Sequence, residues 1–223
     1  MQVKHSFYEY SQILHGNDVV TSIYVLLFII FLNYNNLLLK VWSFDNIYII
    51  IILAAAEVTK YIIHATRDSS SVHRHSVKDL FMISLMLTSV FGIVYVIAIL
   101  FGAPVFSMFE ETFIFSVIVT TVTALPVGLH LGPKAAVNMF LSLTSYDSDN
   151  IHNLFMLKIR LSLFGAWLGA IVIPLDWNRP WQNWPIPCCI GTLLGYAVAN
   201  VITSLLQFQQ RGKLLKKAGK YIL

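Results

Sequence analysis

Asp176 and Arg179 stand three residues apart in a short stretch rich in proline and tryptophan, and their side chains are the first candidates for chemistry in this sequence. A guanidinium binds a phosphate or a carboxylate through two parallel hydrogen bonds, and a carboxylate can serve as a general acid or base. The spacing places no nucleophile, metal ligand or second carboxylate beside Asp176, so the pair favours binding over catalysis.

The residues around this pair predict a rigid turn at a membrane surface. They are Pro174, Trp177, Pro180, Trp181 and Trp184. Proline fixes its own φ and restricts the residue before it, and tryptophan suits the boundary between hydrocarbon and water. One interpretation is an interfacial aromatic belt with an ion pair from Arg179 to Asp176 or Glu111. The other is a surface on which Arg179 binds a lipid phosphate or a carboxylate of a partner.

The composition is that of a protein built inside a membrane. Of the 223 residues, 57% are hydrophobic and 12% are charged, and the charged share is about half that of soluble domains. The net charge of +4 is small and forms no continuous basic stripe, so we expect no nucleic-acid partner. Adjacent Cys188 and Cys189 cannot join distant parts of the chain. We expect one all-α, polytopic membrane domain over residues 1–223.

Six segments are apolar enough to cross a bilayer, which takes about 20 residues. The predicted spans are 19–39, 46–63, 80–101, 112–133, 157–175 and 187–207. Glu57 and Lys60 lie one helical turn apart and should pair near the exit of the second span. Lys158 and Arg160 are expected to snorkel at the start of the fifth.

Glycine and proline punctuate these spans. Gly102 and Pro104 should end the third span, and Pro126 should kink the fourth, where a neighbouring helix must satisfy the freed carbonyl group. Pro187 suits the first turn of the sixth span.

The distribution of lysine and arginine sets the predicted orientation, because positive residues remain on the cytosolic side. The connections after spans one, three and five together hold only Lys40 and Arg179, whereas the other connections and the termini hold the remaining basic residues. Both termini should therefore be cytosolic. The loops after spans one, three and five, with Glu110 and Glu111, should face the lumen or exterior. The polar N-terminus lacks the apolar core of a secretory signal, so we expect the mature chain to begin at or near Met1.

Glycines four residues apart occur in the last three spans, and this spacing lets membrane helices pack backbone to backbone. The pairs are Gly128/Gly132, Gly165/Gly169 and Gly191/Gly195. Internal packing is the ordinary use of the motif, and contact with a partner helix is the alternative.

Histidines give two further candidates. "HRH" at His73–His75 is interpreted as a solvated basic loop near lipid headgroups, because no third metal ligand lies close by. The basic tail after Gln210 is interpreted in the same way. His130 lies inside the fourth span, and two interpretations of its side chain are kept: a buried, hydrogen-bonded histidine and a proton relay. The sequence shows no phosphate-binding glycine loop and no recognisable Ser/His/Asp arrangement.

The stretch "GAWLGAIVIPLDWNRPWQNWPIPCCIGTLLGY", Gly165–Tyr196, closely resembles the signature of the PIG-F family. Supporting pieces occur in the family's order from about Leu100. They are "GAP" at Gly102–Pro104, "ETFIF" at Glu111–Phe115, Pro126, and "LGP" at Leu131–Pro133.

The resemblance implies a non-catalytic, stabilising scaffold subunit of GPI ethanolamine-phosphate transferases in the endoplasmic reticulum membrane. Its expected partner is a large transferase subunit of the PIG-O or PIG-G type that carries the zinc and the catalysis, so this chain should hold no cofactor. It is also expected to shape a lipid path between the subunits. A stand-alone headgroup transferase and a small lipid transporter or scramblase remain the alternatives.

The residues expected at the partner or lipid interface combine the turn, the glycines and the family motifs. They are Gly102, Pro104, Glu111, Thr112, Pro126, Gly165, Trp167, Gly169, Pro174, Asp176, Trp177, Arg179, Pro180, Trp181 and Trp184. No catalytic residue and no metal ligand are expected.

Overall fold

The computed structural model describes residues 2–35, 37, 39–40, 43–67, 76–104, 106–141 and 150–219, with side chains chiefly between Asp18 and Gln209. Within these ranges every regular element is helical. The helices are α1 (Gln2–Tyr34), α2 (Ile47–Arg67), α3 (Val77–Leu100), α4 (Phe109–Leu131), α5 (Pro133–Leu141), α6 (Asn150–Ile171) and α7 (Ile186–Gly219). Single 3-10 turns occur at Phe44–Asn46 and Pro180–Gln182. The histidine loop at 73–75 lies outside the described residues, as do the side chains of the basic tail.

The described chain contains five helical segments long and apolar enough to cross a membrane. They are Phe44–Ile63, Val77–Leu100, Phe109–Leu131, Ile151–Ile171 and Ile186–Gln209. The apolar part of α1, Asp18–Tyr34, is shorter than these. The all-α class is therefore confirmed, and the described residues contain five helices that are candidates for membrane spans.

Several helix bounds differ from the sequence prediction. Residue 34, not 39, ends α1. Gly132, with φ of +79°, ends α4, because this left-handed conformation cannot continue a right-handed helix. Pro133 then begins α5, a nine-residue helix that the span pattern did not predict. A proline is well suited to a first helical position.

Other predicted boundaries hold. Residue Leu100 ends α3, and Gly102 follows with φ of +103°. Its neighbour Pro104 lies in the same connection. The first turn of α7 contains Pro187, as expected. Pro126 lies inside α4, and the helix continues through that position.

Helix α4 forms the centre of the bundle and is buried along most of its length. It packs against α2, α3, α5, α6 and α7, whereas α1 packs mainly against α7. Two apolar clusters fill the interior. One is centred on Ile114, Ile118 and Leu193 and the other on Val127, Met139 and Phe155. The turn between α6 and α7 connects the last two helices of this bundle.

Candidate functional site

The turn between α6 and α7 is held by one buried side chain, Gln182. Its amide Nε2 donates to the carbonyl oxygen of Val172 at 2.6 Å and also to that of Leu175. Its Oε1 accepts from the backbone N–H of Arg179 at 3.4 Å. A side chain that satisfies three backbone groups fixes the path of an otherwise irregular segment. We call residues 172–185 the tryptophan turn.

Trp184 connects the tryptophan turn to α4. Its indole N–H donates to Thr112 Oγ1 at 3.1 Å, and its ring lies 5.1 Å from that of Phe115. The Thr112 hydroxyl in turn donates to the carbonyl oxygen of Met108 at 3.0 Å. Two predicted interface residues, Thr112 and Trp184, therefore form an internal contact.

The side chains of the tryptophan turn from Pro174 to Trp181 face outward. Asp176, Arg179, Pro174 and Pro180 are exposed, and Trp177 and Trp181 lie with ring centroids 6.0 Å apart. Among the ion pairs of the described residues none involves Asp176, Glu111 or Arg179, so the predicted local pair is wrong. The guanidinium and the carboxylate are both available at the surface.

Helices α6 and α7 meet backbone to backbone at their glycines. A Cβ built on Gly165 or Gly191 would collide with the carbonyl group of the other, and one on Gly195 would collide with that of Leu161. A Cβ on Gly169 would meet the backbone of Pro187. These glycines thus serve the internal packing that the spacing predicts. Trp167, one helical turn before the end of α6, is 54% exposed and stacks on Phe164.

A second cluster, which sequence reasoning missed, lies inside the bundle. Lys158 Nζ of α6 lies 2.5 Å from Asp18 Oδ1 of α1. The other carboxylate oxygen of Asp18 accepts from Thr203 Oγ1 at 2.7 Å and from Gln207 Nε2 at 3.4 Å on α7. The prediction that Lys158 snorkels to the surface is wrong, because a buried carboxylate binds its ammonium group inside the protein.

Glu57 of α2 organises the other half of this cluster. Its Oε2 lies 2.7 Å from Lys60 Nζ, which confirms the predicted pair. Its Oε1 accepts from the hydroxyl groups of Tyr196, at 3.0 Å, and Tyr24. Lys60 Nζ also donates to Thr21 Oγ1 at 2.6 Å. We call the side chains of Asp18, Thr21, Tyr24, Glu57, Lys60, Lys158, Tyr196, Thr203 and Gln207 the buried polar network.

The buried polar network is balanced in charge and joins four helices. Two carboxylates face two ammonium groups, which lowers the cost of keeping ions away from water. Both halves line a cavity of about 10 Å³, together with Pro126 and His130, and this volume is close to that of one water position. His130 also packs edge to face with Tyr61. The polar side chains of α7 gave a signal in the sequence, since Tyr196, Thr203 and Gln207 recur at helical spacing in an apolar span.

Among the described residues, no group of three or more His, Cys, Asp and Glu side chains is placed to hold a metal ion. Glu110, predicted at the same surface as the turn, accepts a hydrogen bond from the backbone N–H of Phe44 at 3.0 Å.

These features define an α-helical membrane protein with an internal charged network and an exposed aromatic turn. The family model described as "GPI biosynthesis protein family Pig-F" matches residues 14–204. The chain therefore belongs to the Pig-F family of GPI biosynthesis proteins.

Curated proteins whose names refer to GPI match the chain over part of its length. A Homo sapiens protein named "GPI ethanolamine phosphate transferase, stabilizing subunit" is 39% identical over 55% of this chain and 56% of its own length. The Mus musculus protein of the same name is 36% identical over 56% and 57%. "Glycosylphosphatidylinositol anchor biosynthesis protein 11" of Yarrowia lipolytica is 35% identical over 54% and 52%. The chain thus spans about half the length of the curated relatives it matches. No solved structure matches it.

Proposed function

We propose that this chain is a non-catalytic stabilising subunit of a GPI ethanolamine phosphate transferase and acts in GPI-anchor biosynthesis. The observation that carries the proposal is the family match over residues 14–204, which encloses the tryptophan turn, the α6–α7 glycines and the buried polar network apart from Gln207. Two relatives at 36% and 39% identity are named stabilizing subunits of that transferase.

The proposed partner is a large membrane subunit of the PIG-O or PIG-G type, which would hold the zinc and carry out the transfer. A subunit that binds only the folded partner raises the folded population of that partner. The chemistry of this chain supports such a division, since each buried carboxylate of the network is bound by a lysine. Asp176, at the exposed turn, belongs to no group of three or more His, Cys, Asp and Glu side chains that could hold a metal ion among the described residues.

The proposed topology has six spans in the endoplasmic reticulum membrane, with both termini cytosolic and the tryptophan turn lumenal. Lys60 and Lys158 belong to the buried polar network and no longer count as loop charges. The remaining basic residues of the proposed cytosolic side still outnumber Lys40 and Arg179, so the bias that supports this orientation persists.

Co-purification tests the proposal directly. A tagged full-length chain, extracted in mild detergent, should carry with it a large transferase subunit identified by mass spectrometry. Depletion of the chain should lower the steady-state amount of that subunit. The purified chain alone, given donor lipid and divalent metal, should transfer no ethanolamine phosphate. Turnover by the chain alone that is abolished by Asp176→Asn would instead support a stand-alone transferase.

A lipid transporter or scramblase is the alternative that buried charges would suggest. The cavity at the buried polar network holds only about 10 Å³, which does not accommodate a phospholipid headgroup. Reconstituted vesicles containing the chain should therefore show no accelerated lipid exchange between leaflets.

A further inference from the structure

An open apolar groove of about 510 Å³ lies along the outer face of the α6–α7 pair. Its walls include Phe164 and Leu168 of α6 and Leu194 and Val198 of α7, each between 42% and 52% exposed. Glycines of both helices also line it. The groove exists because the glycines carry no side chains, whereas the larger residues stand on both sides of the line where α6 and α7 meet.

The length of the groove corresponds to one leaflet of a bilayer. It extends from Pro187 to Val198 on α7, about 16 Å at 1.5 Å per residue. Half of the hydrocarbon core of a bilayer is about 15 Å thick. A single lipid molecule that enters from one leaflet therefore matches the length of the groove.

The width of the groove favours a slender occupant. Its volume, divided by a length of about 16 Å, gives a mean cross-section of about 30 Å². A transmembrane helix with its side chains is about 10–12 Å across, which requires about 80–110 Å². An aliphatic chain therefore fits within the groove, whereas a helix would rest against its open side without filling it.

The end of the groove near Pro187 meets the tryptophan turn. Trp181 lines the groove and lies two residues after Arg179, whose side chain is exposed. Asp176 presents a carboxylate on the same turn, and neither charged side chain has an ion-pair partner among the residues that the structure describes. A guanidinium suits a phosphate diester, and a carboxylate suits a cationic amine.

From these relationships we propose that the α6–α7 groove and the tryptophan turn together bind one zwitterionic phospholipid. One acyl chain lies in the groove, Arg179 binds the phosphate, and Asp176 faces the amine. Trp181 lies at the boundary between acyl chain and headgroup, where its ring covers apolar surface and its N–H reaches polar groups. The proposal requires that the bundle spans a membrane, but it does not depend on which partner subunit the chain joins.

Photo-crosslinking of the full chain in its native membranes tests this site. The probes are phosphatidylethanolamine, phosphatidylcholine, phosphatidylglycerol and diacylglycerol, each carrying a diazirine on one acyl chain. Both zwitterionic probes should label peptides that contain the groove walls, Leu161–Leu168 and Ile190–Val198. Diacylglycerol, which lacks the phosphate, should label them about tenfold less.

Two variants at the surface of α6 form a matched pair. Leu168 and Leu163 are both 45% exposed, but only Leu168 lines the groove. Leu168→Trp should fill the groove and lower the labelling several-fold, whereas Leu163→Trp should leave it unchanged. Leu194→Trp should fill the same groove from the α7 side. If either Leu168→Trp or Leu194→Trp fails to fold, the other variant still tests the proposal.

A variant of the turn separates headgroup from acyl-chain binding. Arg179→Gln should remove the preference for zwitterionic probes over diacylglycerol while diacylglycerol labelling stays the same. Equal labelling by all four probes, unchanged by Leu168→Trp and Leu194→Trp, would mean that ordinary bilayer lipid fills the groove, and the proposal would be wrong. A protein crosslink from a photoreactive residue at position 168 would assign the groove to a partner helix instead. Co-purification of a large subunit is a separate readout, so either proposal can fail while the other holds.

Discussion

Lys158 and Asp18 form an ion pair across 140 residues of chain, with Nζ and Oδ1 2.5 Å apart and side chains 7% and 3% exposed. The pair joins α6 to α1, and the second carboxylate oxygen extends the contact to α7 through Thr203. The apolar segment of α1, Asp18–Tyr34, is shorter than any of the five candidate spans. Its place in the bundle therefore depends on polar contacts as well as on apolar packing.

We expect Lys158→Met to destabilise the bundle strongly, by about 3–5 kcal/mol, because it leaves the Asp18 carboxylate buried and unpaired. The double variant Asp18→Asn, Lys158→Met should recover much of this loss, since no isolated charge remains. Thermal unfolding in detergent, followed by size-exclusion chromatography of a fluorescent fusion, measures both. Lys134→Met, at an exposed position of α5, is the control and should unfold as the wild type does. A single variant as stable as this control would contradict the structural role of the pair.

We expect Gly195→Ala to separate α6 from α7, because the added methyl group would collide with the carbonyl oxygen of Leu161. Overpacking of this kind costs about 1–3 kcal/mol, which should appear as a lower unfolding temperature. Gly92→Ala is the matched control, since a Cβ there meets no atom within 4 Å. It should be neutral or stabilising by up to about 1 kcal/mol, because alanine favours a helix more than glycine does. Equal unfolding temperatures for the two variants would show that α6 and α7 do not meet closely at Gly195.

A double-mutant cycle should detect the hydrogen bond between the tryptophan turn and α4. Trp184→Phe keeps an aromatic ring beside Phe115 but removes the N–H donor, and Thr112→Val removes the acceptor. The coupling free energy should be about 0.5–1.5 kcal/mol, as for other hydrogen bonds between uncharged groups. Trp167→Phe, at an exposed position where the indole makes no hydrogen bond to the described residues, should show no coupling to Thr112→Val. Additive effects of Trp184→Phe and Thr112→Val would exclude the bond.

The sequence predicted the helical class well because an apolar segment in a membrane must satisfy its backbone groups internally. It also predicted the glycine contact of α6 with α7 and the pair between Glu57 and Lys60, since both follow from helical spacing. Helix α5 escaped prediction because nine residues give too short a periodic pattern. The ends of α1 and α6 were shifted, since apolar composition alone does not mark where a helix stops.

The buried polar network was less accessible to sequence reasoning. Asp18 and Lys158 lie near the ends of apolar runs, where charged residues usually mark a boundary, and their pairing depends on how α1 and α6 pack in three dimensions. The missing ion pair of Arg179 has a similar cause. Three residues of separation favour contact on a helix, but the backbone from Val172 to Pro185 follows the contacts of Gln182.

Membrane orientation should be measurable by cysteine labelling, because Cys188 and Cys189 are 1% and 0% exposed and should not react in the folded chain. Asn183→Cys adds a thiol to the tryptophan turn and Lys134→Cys adds one to α5, both at exposed positions. In sealed microsomes, a membrane-impermeant maleimide should label Lys134→Cys at once and Asn183→Cys only after permeabilisation. The positive charges predict this order, since Lys134 belongs to the cytosolic set. The reverse order would put the turn on the cytosolic face and remove the support for a lumenal contact with the catalytic partner.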